Sequence, residues 1–435
     1  MTNAQALAWL DGLESLGIQP GLERITALLE RLGNPHRDLP SVIVAGTNGK
    51  GSVVAFLAAM LEAAGIEPGV YTSPHLVRFR ERIRVGVENI TDDELAALTG
   101  EVRRAVEAMR REGLPSPTYF EATTALAFLH FRRRGVPLAV LEVGMGGRYD
   151  ATNVATPLAC AITPIALDHT QFLGTTVAEI AFQKAGIVRR GVPVVVAAQP
   201  TEAEQVILAA AAAEGAPVLR TSACRVEPAG GFSDPPDVVF TTPAGHRFHA
   251  RLALRGDHQV DNAATALLLA ETLRDLDRFA IDDAAIGRGL ASAQWPGRLE
   301  LRPGGSRGPV GGAAVDLLLD GAHNPAGCRI LAGYLRHHQA ARARRVLLFA
   351  VMRDKPAAEM LSILRDVADE AVVTTLPLPR ATPALDLERL ARDAGLPATV
   401  APDPSAALTV AARHAGKGGL VVACGSLYLV GALTG

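Results

Sequence analysis

The sequence predicts an α/β fold. A mostly parallel sheet with a phosphate loop forms a large N-terminal domain, and a smaller Rossmann-like α/β unit forms the C-terminal domain. Short apolar runs without polar alternation recur between helical patterns, as strands buried on both faces of a parallel sheet require. A glycine-rich turn, Gly46-Thr47-Asn48-Gly49-Lys50-Gly51-Ser52, joins one such run to an alanine-rich helical pattern. A glycine- and proline-rich stretch, residues 296–312, then interrupts the alternation before it resumes.

In chain order, the N-terminus carries an amphipathic helical pattern with Asp11 and Glu14. Strands are expected at 41–45, 138–143, 158–163 and 192–197, with helical stretches between them. From 218 to 254 Pro, Gly and Thr rise, and β-like pieces at 237–242 and 246–254 suit a small antiparallel patch. After the interruption, runs at 315–319, 345–351, 371–375 and 419–423 again alternate with helices. The boundary is expected near Trp295-Pro296, giving domains 1–296 and 297–435.

The bulk properties exclude several classes. A chain of 435 residues exceeds one ordinary core, and 49% hydrophobic with 20% charged residues is a globular composition. A net charge of −2 lacks the electrostatic footprint of a nucleic-acid or anionic-membrane binder. Arg103-Arg104, Arg110-Arg111 and the basic run at 342–345 read as solvated helix faces. The four cysteines, Cys160, Cys224, Cys328 and Cys424, form no C-x-x-C pair, which argues against structural zinc and for a reducing compartment. The expectation is a cytoplasmic monomer that acts on small molecules, with no nucleic-acid or membrane partner.

The glycine turn carries the chemistry. A strand that turns on glycines into a helix presents free backbone N–H groups at the positive helix end. The lysine adds a point charge, and a hydroxyl can ligate Mg²⁺. The pattern departs from G-x-x-x-x-G-K-[ST], which would want glycine at Val44 and a hydroxyl at Gly51; the hydroxyl here is Ser52. A plain glycine turn with a solvated Lys50 is the competing account.

Other polar groups fall at strand ends. Glu142 closes an apolar run before Gly144-Met145-Gly146-Gly147, where a metal-binding acid would sit beside the loop. Pairing with Arg148 is the alternative. A dinucleotide fingerprint fails because its last glycine falls on Tyr149. His169 follows the next strand at the same expected edge, although a lone histidine is more often a surface or core residue. Thr176 and Glu179 form a capping box for a helix containing Lys184, which the pattern alone reads as a solvated lysine. Asp320-Gly321-Ala322-His323-Asn324-Pro325 is either a polar site or a tight turn held by Asp and Asn. Gly425-Ser426-Leu427-Tyr428 occupies the equivalent place after the last strand.

Together these segments resemble the folylpolyglutamate synthase/dihydrofolate synthase family, within the wider Mur-ligase group of ATP-dependent amide-bond formers. The resemblance runs from Gly21-Leu22-Glu23-Arg24-Ile25 through the glycine turn, Tyr71-Thr72-Ser73-Pro74-His75-Leu76, residues 142–153 and 320–325 to Gly425-Ser426-Leu427-Tyr428. It implies that Asn48, Gly49, Lys50, Gly51 and Ser52 hold the ATP phosphates. Ser52, Ser73, Glu142 and His169 would ligate two Mg²⁺ ions, and Lys184 would be carbamylated. Asn262, Arg298 and Asp320 match nucleotide-contacting positions, and His323 and Ser426 match positions that receive the incoming glutamate. Lys50, His169, Lys184 and His323 are the implied catalytic group. Leu22, Glu23, Thr118, Tyr119, Phe120, Glu121, Tyr149, Asp150 and Ala151 match regions that hold the pterin-bearing substrate, though Phe120 could equally be a core aromatic.

The implied reaction phosphorylates a carboxylate with ATP and lets the amine of L-glutamate displace phosphate from the acyl phosphate. Domain motion about residues 296–312 is expected to close the site against water. The substrate is dihydropteroate, a folate already carrying glutamate, or both. A Mur ligase acting on a UDP-sugar is the nearest rival, but only about forty residues precede the glycine turn, fewer than a typical UDP-gripping domain. A small-molecule kinase or nucleotide-hydrolysing switch is the rival from another class; the sequence has no N-K-x-D guanine-reading motif.

Overall fold

The computed structural model describes residues 1–17, 19–230, 233–304 and 315–434. The chain divides into two compact units. The first comprises Met1–Ser233, Asp237–Ala253 and Gln259–Gln294; the second comprises Asp234–Pro236, Leu254–His258 and Trp295–Gly435.

The first unit is built on strands β1 (Ser41–Ala45), β2 (Gly69–Tyr71), β3 (Ile83–Val85), β4 (Glu88–Asn89), β5 (Ala139–Glu142), β6 (Pro157–Ile162), β7 (Val194–Val196) and β8 (Val218–Arg220). They pair in the order β4-β3-β2-β5-β1-β6-β7-β8. Pairing is parallel from β2 to β8, and only the β3 and β4 edge runs antiparallel. Every residue of β1 is buried, as its unbroken apolar run requires. β1 lies between β5 and β6, with Val44 opposite Glu142 and Ala45 opposite Ile162. The chain segments that leave these three strands therefore emerge side by side at the carboxyl edge, where open α/β sheets bind ligands.

The Pro-, Gly- and Thr-rich stretch folds as a three-stranded antiparallel sheet, β9 (Arg225–Pro228), β10 (Asp237–Thr241) and β11 (Arg247–Arg251), in the order β11-β10-β9. Along β11 burial alternates, with Phe248 and Ala250 inside and Arg247, His249 and Arg251 outside.

The second unit holds β12 (Glu300–Arg302), β13 (Asp316–Leu319), β14 (Arg345–Phe349), β15 (Glu370–Val373), β16 (Ala398–Val400) and β17 (Leu420–Cys424), in the order β12-β13-β17-β14-β15-β16. Only β12 is antiparallel. The long apolar runs form strands within one or two residues of the expected bounds. β2, β3, β4, β8, β12 and β16 are only two or three residues long and carry no run of their own. β12 lies in the stretch expected to interrupt the fold; residues 305–312 of that stretch lie outside the described residues.

The helix after the glycine turn, Lys50–Ala63, is buried from Gly51 to Leu61. It packs against the helix Asp283–Ser292, where a Cβ on Gly289 would collide with the backbone Cα and N of Met60. Backbone cannot step aside as a side-chain rotamer can. Gly289→Val is therefore expected to lower unfolding free energy by about 1–3 kcal/mol. An unchanged urea midpoint in the variant would contradict this close helix contact.

Candidate active site

Gly46 leaves β1 with φ +143, and a side chain there would collide with Thr163. Glycine at this position allows the turn to lie directly against the end of β6. Thr47 and Asn48 donate their N–H groups to Pro164 O at 3.1 and 3.3 Å, and Thr47 Oγ1 both donates to Ala166 O and accepts from Ala166 N. Gln199 holds the same loop from behind, donating to Thr163 O at 3.0 Å and accepting from Ile165 N at 2.9 Å. Gly49, at φ +93, then caps the helix Lys50–Ala63 without any side-chain cap. The first-turn amides of that helix thus point to a place where an anion fits.

Two ammonium groups converge on this turn. Lys50 Nζ donates to Gly46 O and Thr47 O, each at 3.2 Å. Lys184 Nζ donates to the same Gly46 O at 2.6 Å. The capping box on Thr176 and Glu179 starts the helix Val177–Ala185 as expected. Lys184, however, is not solvated: it is buried near the helix end, because that face packs onto the turn and not onto water. Burial, and after it the neighbouring Lys50 charge, push its amine down to about 7, against the opposing pull of Asp168 and Asp150.

Glu142 ends β5 almost fully buried, and Ser73 N donates to its Oε2 at 3.3 Å. The Arg148 guanidinium stacks 4.3 Å over the Phe182 ring. His169 follows β6 in the left-handed region, φ +50, and caps the short helix Thr170–Leu173. Ser52 is buried in the first turn of the helix after the loop. Among the described residues no three His, Cys, Asp or Glu side chains form a metal-binding cluster. A cation held by this set would draw on serine hydroxyls as well as Glu142 and His169, a donor mix that suits a hard ion retaining water ligands.

Around the expected pterin region, Thr118 caps the helix Tyr119–Arg134 in a capping box with Glu121. Glu121 is buried and pairs with Arg24, whose Nε donates to Oε2 at 3.1 Å. Phe120 packs between the Tyr71 ring, 5.8 Å away, and Gly144, where a Cβ would meet its ring. Leu22 is half-buried against the core, and Glu23 is exposed at the first helical position. Tyr149 is 52% exposed, whereas Ala151 is buried and Asp150 accepts from Met145 N, Thr152 N and Thr152 Oγ1. Burial raises the Asp150 carboxyl above the usual range.

In the second unit Asp320 follows β13. Its two oxygens accept from Leu299 N and Ala322 N, each at 2.9 Å, and burial raises its carboxyl despite the nearby Arg298 charge. A Cβ on Gly321 would collide with Arg298. His323 Nδ1 lies 2.8 Å from Gly321 O, and Asn324 caps the helix Pro325–His338 through Gly327 N. The turn account is thus correct for Asp320 and Asn324, whose side chains shape the loop that carries His323. Ser426 Oγ accepts from Tyr428 N, while Gly425 N donates to Ala322 O, so the loops after β13 and β17 are tied together.

Gln259 lies beside the phosphate turn; it stands in the segment 257–264 that supplies Asn262, but the resemblance singles out only Asn262 there. It is fully buried, donates to Ser52 Oγ at 3.2 Å and accepts from Asn262 Nδ2 at 2.9 Å. Asn262 in turn lies against Gly49, where a Cβ would collide with its Oδ1. A polar residue three positions before Asn262 is the one local signal, and helix starts are commonly polar.

The buried Lys184 makes a testable electrostatic claim. With its amine lowered from 10.5 to about 7, the unfolded chain binds the extra proton between those values. Stability therefore rises with pH across that window, and the penalty is greatest below pH 7. In CO₂-free buffer Lys184→Met is expected to unfold at a higher temperature than the parent at pH 6.5. The gain should shrink as pH approaches 10; a pH-independent difference would refute the buried-charge account.

Residues 44–270 match the Mur ligase middle domain, and residues 297–427 match the Mur ligase glutamate ligase domain. The dihydrofolate synthase/folylpolyglutamate synthase of Bacillus subtilis is 37% identical over 427 residues, 98% of this chain and 96% of the relative. The folylpolyglutamate synthase of Lacticaseibacillus casei is 34% identical, covering 90% and 89% of the two chains. Among solved structures, Mycobacterium tuberculosis folylpolyglutamate synthase complexed with ADP superposes with a TM-score of 0.88 at 32% identity, covering 99% and 98%. E. coli FolC in complex with DHPP and ADP gives 0.85 at 31% identity, covering 98% and 96%. The domain matches and the full-length relatives agree with the phosphate turn and its buried lysine: the chain belongs to the Mur ligase family, in its folylpolyglutamate synthase/dihydrofolate synthase branch.

Proposed function

We propose that the protein is an ATP-dependent ligase of folate metabolism. It joins L-glutamate to dihydropteroate, to the γ-carboxylate of a folate, or to both, and releases ADP and phosphate. The observation that carries this reading is the second lysine, Lys184, buried on the carbonyl of the phosphate turn with its amine lowered to about 7.

A carboxylate resists amines because it is a poor electrophile, and phosphorylation supplies the missing leaving group. Lys50 and the first-turn amides of the helix Lys50–Ala63 hold the phosphates of ATP and stabilise charge on the moving phosphoryl group. Mg²⁺ held by Ser52, Ser73, Glu142 and His169 would neutralise further charge there. Asn262 is a further nucleotide contact in the first unit, and Arg298 and Asp320 are the nucleotide-contacting candidates that the second unit carries. His323 and Ser426 receive the glutamate, whose free amine attacks the acyl phosphate. Thr118, Tyr119, Phe120 and Tyr149, with the Leu22-Glu23 turn, bound the pterin side; the buried Glu121, Asp150 and Ala151 shape that wall from within.

Lys184 is suited to carbamylation. Near pH 7 about half of a group with that pKa is neutral amine, against roughly one part in three thousand for an ordinary lysine. The neutral nitrogen adds to CO₂, a proton leaves, and an anionic carbamate replaces a cation beside Lys50. The remaining N–H can still donate to Gly46 O.

The test is phosphate release with ATP, Mg²⁺, dihydropteroate or a reduced folate, and L-glutamate, each omitted in turn. Turnover should require every component, and EDTA should abolish it; release that ignores glutamate would rule out the ligase. Lys50→Ala is expected to lower kcat by about 10²–10³. Lys184→Arg should be inactive although it folds, because guanidinium cannot form the carbamate. Full activity in that variant would remove Lys184 from the chemistry.

A further inference from the structure

Gln259 opens the helix His258–Asp275 with its side chain completely buried, and its amide is bound at both ends. Asn262 Nδ2 donates to Oε1 at 2.9 Å, and with the two amides in this orientation the other end is nitrogen. That nitrogen, Nε2, lies 3.2 Å from Ser52 Oγ. An amide nitrogen has no lone pair to accept with, so Ser52 is the acceptor in this contact. A serine hydroxyl has two lone pairs and one proton. One lone pair is taken by Gln259, so the proton and the second lone pair share the two remaining directions. The hydroxyl is therefore not a free rotor.

We propose that Gln259 is a positioning residue that aims the remaining Ser52 lone pair at the divalent cation of a metal–nucleotide complex. Through Asn262, packed against Gly49, it keeps that hydroxyl in register with the phosphate turn. The inference rests on the reading that the turn binds ATP with Mg²⁺. Methionine at 259 fills the same volume without a donor and releases the rotor. If Gln259 served packing alone, methionine would serve equally well.

The experiment measures ADP binding by calorimetry, with and without Mg²⁺, for the parent, Gln259→Met, Ser52→Ala and the double variant. Unfolding midpoints are recorded without ligand. The parent should bind ADP more tightly when Mg²⁺ is present. In Gln259→Met that enhancement should fall about fivefold or more, a larger loss than the variant shows for ADP without the metal. In the Ser52→Ala background the methionine substitution should cost nothing further, since the two act through one oxygen. Gln259→Leu gives the same comparison if methionine impairs folding. An undiminished Mg²⁺ enhancement in Gln259→Met, or equal losses with and without the metal, overturns the proposal. Absence of any Mg²⁺ enhancement in the parent would instead overturn the metal reading, and this inference with it.

Discussion

The carbonyl oxygen of Gly46 takes hydrogen bonds from two lysines that arrive from different helices, Lys50 and Lys184. Burial first, and the Lys50 charge second, make Lys184 the one that readily gives up its proton, and the surrounding structure maintains that arrangement. Gly46 leaves room for the loop after β6, and the hydrogen bonds of Thr47 and Gln199 fix that loop. The helix that carries Lys50 is buried along most of its length and cannot retreat from the turn.

The frame for this arrangement is ordinary parallel-sheet physics. Strands buried on both faces bring β5, β1 and β6 together, and their carboxyl ends share one edge. Glu142, the phosphate turn and His169 therefore reach the same rim with little dedicated machinery. Precision is added by uncharged groups: Thr163, Gln199, Gln259 and Asn262 are buried or half-buried amides and hydroxyls that fix loops without adding charge. In low dielectric a satisfied amide costs less to bury than an ion pair and still imposes direction.

Features coded within a few consecutive residues are legible in the sequence itself. The glycine turn, the acid at the end of β5, the capping box of Thr176 and Glu179, and the unbroken apolar strands all have local signatures. What stays hidden depends on partners far along the chain. Lys184 looks like a surface lysine because its acceptor lies 138 residues away, and Gln259 looks like a routine helix start because Ser52 lies 207 residues away. Edge strands such as β4 and β8 owe their conformation to a neighbour's backbone and have little pattern of their own. The Asp320 segment is readable as turn or site, and its hydrogen bonds are those of the turn: the carboxylate and Asn324 organise the backbone that carries His323.

The cysteines have a practical consequence. All four are free and buried, with thiols raised by desolvation: Cys160 and Cys328 to about 12, Cys224 to about 11, and Cys424 also upward. In the closed protein they are poor nucleophiles, so an alkylating probe reacts only when the surrounding core opens. Cys160 lies in β6 and Cys224 beside β9, while Cys328 and Cys424 belong to the second unit. The order in which these thiols become labelled would therefore time the breathing of each unit separately, with no engineered reporter.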